Sequence, residues 1–116
     1  MPMRSLSRLV AGVMLCVPVL VIDGGAASAH SAGAAPATEE NFERLRGCES
    51  GGDYSATTAR RYFGAYQFSV PTWRSLGYGG LPHAAAPEVQ DEAARRLQAR
   101  DGWGPWPRCS RRLGLS

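Results

Sequence analysis

Apolar and polar positions divide the chain into an apolar N-terminal stretch and a longer region of mixed pattern. Residues 9–22 form an almost unbroken apolar run that follows two arginines and precedes Ala27-Ser28-Ala29. A positive start, an apolar middle and an A-x-A end are typical of a secretory signal peptide. The run is also shorter than the roughly 20 residues that a membrane-spanning helix needs. We therefore predict a cleaved signal peptide over residues 1–29, rather than an uncleaved anchor, and no stable membrane association after cleavage.

The mixed region opens with a short leader and a predicted helix. Residues 30–37 are rich in Ala, Gly, Ser and Pro, which is typical of a flexible leader. Thr38 then fits a helix N-cap, and Gly51-Gly52 fits the end of the helix. Positions spaced i, i+3 and i+6 or i+7 share one helical face, and here they carry Phe42, Leu45 and Cys48 or Glu49. Glu49 is therefore expected in the last turn, on the inward side of the helix.

Further segments extend this pattern to a mainly helical fold with one hairpin. Residues 54–63 lack a helical stripe, which predicts a short hairpin or an extended loop. Pro71 fits the first position of a second helix over residues 71–76, which Gly77 would end. A third helix is expected from Pro87 to Gly102, because apolar residues recur there at i, i+4 and i+8: Val89, Ala93 and Leu97. The proline-containing tail over residues 103–109 is not expected to be regular helix, and its two tryptophans should pack back on the domain.

Length and cysteine content indicate one small domain with a covalent cross-link. Cleavage would leave residues 30–116, and a single domain of that size gains stability from a staple. Cys16 would leave with the signal peptide, so that Cys48 and Cys109 remain. Two cysteines in an exported chain suggest one disulfide rather than two free thiols. It would close a loop of about 60 residues, worth about 4 kcal/mol in the chain-entropy model.

Charge and motif content exclude several classes of function. The net charge is +3, and loss of two arginines and one aspartate with the signal peptide would lower it to +2. This modestly favours an acidic polymer, but no basic stripe interleaved with aromatics indicates nucleic acid. No basic amphipathic face suggests a cationic antimicrobial peptide. Neither a metal site nor a cofactor is predicted, because the chain lacks a zinc-ligand cluster and a phosphate-binding loop.

Glu49 is the main candidate for chemistry. A carboxylate beside a half-cystine in an aromatic-rich domain is expected to be partly desolvated, and desolvation raises the pKa of a Glu. Such a Glu can stay protonated near neutral pH and donate its proton to a glycosidic oxygen. Spacing alone does not distinguish this role from that of an ordinary solvated acid at a helix end.

Several motifs together carry a resemblance to a known family. They are Cys48-Glu49-Ser50-Gly51-Gly52, Tyr62-Phe63-Gly64-Ala65-Tyr66-Gln67-Phe68, Thr72-Trp73, Ala86-Pro87-Glu88-Val89-Gln90-Asp91 and Gly102-Trp103-Gly104-Pro105-Trp106-Pro107-Arg108-Cys109. In this order and spacing, residues 42–109 resemble the transglycosylase-like domain of actinobacterial resuscitation-promoting factors and their short secreted relatives. The resemblance implies a small lysozyme-like α+β fold over residues 38–116. It also implies Glu49 as the general acid and a disulfide between Cys48 and Cys109.

The resemblance further implies a sugar-binding groove. Gln67, Thr72 and Trp73 match positions that line this groove in the family. The amide of Gln67 could bond N-acetyl or hydroxyl groups, and Trp73 could stack on a sugar face. The alternative for Trp73 is a core residue packed under the second helix. Tyr62 is likewise interpreted either as a groove residue or as hairpin packing.

Two departures from the family bear on mechanism. Many relatives have a Gly/Asn-rich loop where this chain has residues 57–61, and some have an Asp where Ser69 stands. Asp53 is the nearest remaining acid, and we interpret it as a turn residue first and an assistant second. Ordinary glycosidases use two acids, whereas a lytic transglycosylase can use one. Its Glu protonates the leaving oxygen and then activates the 6-hydroxyl of muramic acid, whose attack gains from proximity.

The sequence therefore predicts a secreted cell-wall enzyme that acts on peptidoglycan. The expected target is the bond between N-acetylmuramic acid and N-acetylglucosamine, and a lytic transglycosylase is favoured over a lysozyme-type hydrolase. The alternative is a wall-binding or growth-signalling protein of the same fold with little catalysis. Glycan strands are the expected partner of a monomer, and other wall hydrolases are candidate partners.

Overall fold

The computed structural model describes residue 12 and residues 33–116. The predicted signal peptide therefore lies, apart from residue 12, outside the described residues. No helix in the described part of the chain is long and apolar enough to cross a membrane. Four α-helices, one antiparallel hairpin and a short 3-10 helix at Pro82–Ala84 make up this part: α1 Glu39–Ser50, β1 Thr57–Thr58, β2 Tyr62–Phe63, α2 Val70–Ser75, α3 Pro87–Asp101 and α4 Pro107–Arg112.

Helix α1 begins and ends where the sequence predicts. The Thr38 hydroxyl accepts a hydrogen bond of 3.2 Å from the Asn41 N–H, which satisfies one free donor of the first turn. Gly51 caps the C-terminus in the left-handed region, with φ +70°, a conformation that costs glycine little. Phe42 and Leu45 are buried on one face. The last turn of α1 consequently carries Glu49 at a fixed end of the helix.

The hairpin is held against α3 by a buried glutamine. Its register pairs Thr57 with Phe63 and Thr58 with Tyr62. Just after β2, the Ala65 N–H donates to the Gln90 side-chain oxygen at 3.0 Å. The amide nitrogen of Gln90 donates in turn to two backbone carbonyls, those of Tyr54 and Ala85, each at 3.0 Å. Gln90 thus supports the hairpin, whose two-residue strands form few backbone hydrogen bonds of their own.

Helix α2 starts one residue earlier than predicted. Its N-cap is Ser69, whose hydroxyl accepts from the Thr72 N–H at 3.3 Å, so that Val70 is the first helical residue. Pro71 therefore takes the second position and not the first. A proline is tolerated there because the N–H groups of the first turn have no helical acceptor. Helix α3 has the predicted bounds and ends at Gly102, with Ala93 and Leu97 buried.

The prediction for the tail was wrong in one part. Residues 103–106 lie outside any regular element, but Pro107 opens α4, which includes Cys109 and continues to Arg112. A proline at the first helical position starts a helix rather than breaking one, because its missing N–H is not needed there. The two tryptophans pack inward as predicted. The indole of Trp106 donates to the Tyr66 carbonyl at 3.0 Å, and that of Trp103 donates to the Ala35 carbonyl at 2.8 Å.

Residues at the end of the predicted leader contact both ends of the helical domain. The Ala35 N–H donates to the Leu115 carbonyl at 2.7 Å. The Pro36 carbonyl accepts from the Asn41 side chain at 2.9 Å. With the bond from Trp103, these contacts hold residues 35 and 36 against α1 and the C-terminal residues.

An aromatic core and one disulfide hold the elements together. The core is formed by buried residues from all parts of the domain, chiefly Phe42, Leu45, Tyr66, Phe68, Trp73, Leu97, Trp103 and Trp106. Cys48 in α1 is bonded to Cys109 in α4, with Cα atoms 5.9 Å apart. The α+β class, the mainly helical content, the short hairpin and the single disulfide are therefore confirmed.

Candidate active site

A cleft of about 420 Å³ opens where the end of α1, the hairpin and the start of α4 meet. The disulfide lies in its wall, because both half-cystines line it. The other lining residues come from the three elements and from the turns beside them: Glu49, Thr58, Tyr62, Gln67, Pro105, Trp106, Pro107 and Arg108.

Glu49 is the ionisable acid of this cleft. Its side chain is half-buried, and desolvation by burial raises the pKa of the carboxyl. The positive charge of Arg108 opposes this effect and lowers the pKa, but burial is the larger influence. Arg108 forms no ion pair with Glu49 within 4.0 Å, so it acts across a gap. The site therefore holds a carboxyl that binds its proton more tightly than an exposed Glu does.

A second carboxylate is absent from the described lining of the cleft. Asp53 is exposed, and its side chain accepts a hydrogen bond of 2.8 Å from the Ser55 N–H. That bond is an Asx-type turn, which agrees with the first of the two interpretations of Asp53. Ser69 caps α2 and does not line this cleft. Within residues 33–116, no group of three or more His, Cys, Asp or Glu residues could hold a metal ion.

Two of the four predicted substrate-binding residues line the cleft with Glu49. Tyr62 is 45% exposed, so its ring presents an open aromatic face. Gln67 has a left-handed backbone, with φ +54°, and its amide nitrogen donates to the Gly64 carbonyl at 3.0 Å. This bond uses one of the two amide N–H groups, which leaves the other N–H and the oxygen for a ligand.

The other two predicted substrate-binding residues, Thr72 and Trp73, do not line the cleft. Trp73 is 1% exposed and stacks on Tyr78 with ring centroids 4.5 Å apart, and its indole N–H donates to the Gly79 carbonyl at 3.1 Å. Trp73 is thus a core residue under α2, with no free face for a sugar. The Thr72 hydroxyl accepts from the Ser69 hydroxyl at 2.9 Å inside the N-cap of α2. Both side chains therefore serve the fold of α2, which for Trp73 is the second of the two interpretations from the sequence and for Thr72 differs from the expected groove contact.

Arg108 is a site residue that the sequence analysis missed. A usable signal was present, because Arg108 precedes Cys109 and Glu49 follows Cys48. Once these two cysteines are bonded, their chain neighbours must lie close together.

Hydrogen bonds behind the cleft fix the end of α1. The Ser50 hydroxyl donates to the Ala65 carbonyl at 2.7 Å and accepts from the Asp53 N–H at 3.0 Å. Deeper in, the Tyr66 hydroxyl donates to Asp91 of α3 at 2.7 Å and accepts from Arg46 of α1 at 3.2 Å. Ser50 therefore has a structural role beside Glu49, because its hydroxyl already donates one hydrogen bond and accepts another.

Comparison with known proteins places this arrangement in a family. A family model described as a transglycosylase-like domain matches residues 36–109. Resuscitation-promoting factor Rpf of Micrococcus luteus is 38% identical over 113 residues, which are 97% of this chain and 48% of that protein. Rpf1 of Corynebacterium glutamicum is 38% identical over 96 residues, or 80% of this chain and 50% of that protein. RpfD of Mycobacterium tuberculosis is 39% identical over 74 residues, or 64% of this chain and 48% of that protein.

The matched region contains the whole of the cleft. It runs from just before α1 to Cys109 and so includes Glu49, the hairpin and Arg108. The chain spans about half the length of these curated relatives. The fold class agrees with the small lysozyme-like α+β domain that the sequence predicted. The chain therefore belongs to the transglycosylase-like domain family of the resuscitation-promoting factors.

Proposed function

We propose that this protein cleaves the glycan strands of peptidoglycan between N-acetylmuramic acid and N-acetylglucosamine. In this proposal it is a lytic transglycosylase, and Glu49 is its single general acid and base. One observation carries the proposal. Glu49 is a half-buried carboxyl with a raised pKa that lines an open cleft without a carboxylate partner among the described residues.

The first step needs a proton at the glycosidic oxygen. Desolvation favours the neutral form of Glu49, so the carboxyl can hold a proton at a pH where an exposed Glu is ionised. That proton passes to the oxygen of the leaving N-acetylglucosamine as its bond to C1 of the muramic acid breaks. The positive charge that develops on the sugar ring lies near the new carboxylate. Arg108 then stabilises that carboxylate from across the cleft.

The second step needs a base and a nucleophile. The Glu49 carboxylate takes the proton of the 6-hydroxyl of the same muramic acid, whose oxygen attacks C1 and closes a 1,6-anhydro ring. The proton thereby returns to Glu49, and no water is consumed. An intramolecular nucleophile is already held close to C1, so a second carboxylate that positions water is not required. The composition of the cleft lining supports this route over a two-acid hydrolysis.

The neighbours of Glu49 suit a sugar polymer. Tyr62 offers an exposed aromatic ring, and Gln67 offers an amide for N-acetyl or hydroxyl groups. The N-terminal pattern of residues 1–29 adds the second half of the proposal, which is export to the cell wall. A disulfide in the wall of the cleft fits an oxidising location outside the cytoplasm.

Digestion of purified actinobacterial peptidoglycan tests the proposal. The oxidised protein is incubated beside Glu49→Gln, which keeps the shape of the side chain and removes its proton chemistry. Mass spectrometry of the released fragments should find anhydro-muropeptides with the unchanged protein and none with the variant. Hydrated reducing ends instead would indicate a lysozyme-type hydrolase with a second acid. No release by the folded protein, on a wall that a control enzyme digests, would contradict the enzyme proposal and favour a wall-binding role.

A further inference from the structure

A second depression adjoins the Glu49 cleft and shares one residue with it. It has a volume of about 320 Å³ and is lined by residues 60–63 of the hairpin and residues 69–71 at the start of α2. Tyr62 lines both depressions and is 45% exposed. A polymer that crosses the ring of Tyr62 would therefore run from one depression into the other.

The two depressions differ in charge. The second is lined by Arg60 and Arg61 and by no acid. Both arginines are exposed, and neither forms an ion pair with any residue of the described chain. Guanidinium groups bind carboxylates and phosphates through paired N–H donors. The second depression therefore presents two cations to any anionic group beside the strand.

The turn that carries Arg60 has an unusual backbone. Ala59 and Arg60 lie in the left-handed region, with φ +50° and +55°, and the Arg61 N–H closes the turn on the Thr58 carbonyl at 3.0 Å. Such tight hairpin turns favour glycine or asparagine at both central positions. A non-glycine residue in this region is strained, because its Cβ lies too close to the following carbonyl oxygen. Strained backbone of this kind gathers at functional sites, which agrees with a role for the arginine side chains at the turn.

We propose that the second depression binds anionic substituents of the wall glycan through Arg60 and Arg61. The protein then prefers strands that carry such groups near the bond it acts on. Free carboxylates of the stem peptides are one source, and phosphate-linked wall polymers are the other; both present anionic oxygens. The inference rests on the proposed function for its ligand and adds the determinant of strand specificity.

Binding to whole cell walls tests this inference separately from catalysis. All proteins carry Glu49→Gln, so that the walls stay intact, and co-sedimentation measures the dissociation constant. Arg60→Gln/Arg61→Gln should bind about fivefold more weakly, as expected for the loss of two exposed ion pairs. High salt should remove the difference. The matched control is Arg111→Gln/Arg112→Gln, an exposed arginine pair that lines neither depression and has the same effect on net charge.

Chemically treated walls identify the source of the anions. If the arginines bind stem-peptide carboxylates, the difference in affinity between the two double variants should disappear on walls whose carboxylates are amidated. If they bind phosphate-linked polymers, the difference should disappear on walls from which those polymers have been stripped. Arg60→Lys/Arg61→Lys keeps both positive charges but loses the paired N–H donors, so it should bind more weakly than the unchanged arginines and more tightly than the glutamine variant, which separates charge from a defect in folding. Equal binding of the two folded glutamine variants to untreated walls would overturn the inference. If the glutamine variant of Arg60 and Arg61 binds more weakly than its control but the unchanged protein cleaves no peptidoglycan, the proposed enzymatic function is contradicted and the binding inference stands.

Discussion

In the proposed mechanism, the chemistry of the cleft depends on one carboxyl group and on one positive charge near it. Burial makes Glu49 a weaker acid, and Arg108 partly reverses that change. A fully buried Glu without a nearby cation would hold its proton too tightly to act as a base in the second step. An exposed Glu would lose its proton too early to act as an acid. The opposing influences of burial and Arg108 on the pKa of Glu49 agree with the two roles that the proposed mechanism gives this residue.

Arg108→Gln should move the pH dependence of activity to higher pH. Removal of the positive charge leaves desolvation unopposed, so the pKa of Glu49 rises further and the protonated acid persists at higher pH. The measurement is kcat/KM for release of soluble fragments across pH, for which the descending limb on the alkaline side should shift upward. Arg111→Gln, an exposed arginine of the same helix, is the control. An unmoved alkaline limb in Arg108→Gln would show that the arginine does not act on Glu49.

Glu49→Gln should stabilise the fold at neutral pH. Because the pKa of Glu49 is raised in the folded protein, the folded state binds this proton more tightly than the unfolded chain does. The free energy of unfolding therefore falls as pH rises from the ordinary Glu pKa through the raised one. Glutamine avoids that loss, so the advantage of the variant should be absent at acid pH and grow through this window. Urea unfolding at several pH values measures it.

The control for this substitution is Glu43→Gln, an exposed glutamate of the same helix. Equal stability of Glu49→Gln and the unchanged protein at every pH would mean that burial costs the carboxylate nothing. Such a result would remove the physical basis for a protonated acid in the cleft.

Among the elements, the hairpin depends most on contacts outside itself. It has two residues in each strand, and an isolated hairpin of that length is not stable in water. Two hydrogen bonds of the buried Gln90 side chain, with the Ala65 N–H and the Tyr54 carbonyl, attach the residues that flank the hairpin to α3. Gly64 makes this possible, because its φ is +81° and a Cβ there would overlap the side-chain oxygen of Gln90. The position of Tyr62 in the cleft consequently depends on the contacts that the residues flanking the hairpin make with Gln90.

Gly64→Ala should lower the free energy of unfolding by about 2–4 kcal/mol, from backbone strain together with overpacking against Gln90. Gly47→Ala is the matched control, because Gly47 lies in α1 with open space where a Cβ would stand. That change should instead add about 0.5–1 kcal/mol, since alanine is the better helix former. Chemical denaturation of both variants gives the comparison, and a loss of similar size in each would refute the Gln90 argument.

The sequence predicted the elements whose ends carry their own local signals. Thr38 and Gly51 mark α1, and Pro87 and Gly102 mark α3, because capping depends on the residues at the helix ends alone. The prediction for the tail failed at α4. Pro107 is compatible with a helix start and with an irregular tail, and only the tertiary packing of residues 107–112 selects the helix.

The same limit applies to the candidate site. Glu49 could be singled out from its motif and from the end of α1, and Tyr62 and Gln67 from the resemblance. Trp73 could not be assigned, because an indole suits a sugar face and a core equally, and only its bond to Gly79 and its stacking on Tyr78 separate the two.

At the scale of the whole molecule, one covalent bond supports both the fold and the site. The disulfide closes a loop with a sequence separation of 61 residues across the domain. Its two half-cystines are the chain neighbours of Glu49 and Arg108, so the bond that joins α1 to α4 also brings the acid and the cation together.

Cys48→Ser/Cys109→Ser should therefore lower stability and activity together. The chain-entropy model gives a loss of about 4 kcal/mol for a loop of this length. Equilibrium urea unfolding measures the stability, and fragment release from cell walls measures the activity. Reductant should lower the stability and the activity of the unchanged protein to those of the variant, and it should leave the variant unaffected. Full activity of the variant under conditions where it is folded would show that the bond serves stability alone.

The hydrogen bond between the Ala35 N–H and the Leu115 carbonyl places the two ends of the domain side by side. A folding unit whose ends meet can be inserted in a longer polypeptide, or followed by another module, without any change to its interior. The described domain thus has the geometry of a module that a longer chain can accommodate. The same geometry makes it suited to circular permutation, with a short linker across the joined ends and a new opening at an exposed turn far from the cleft.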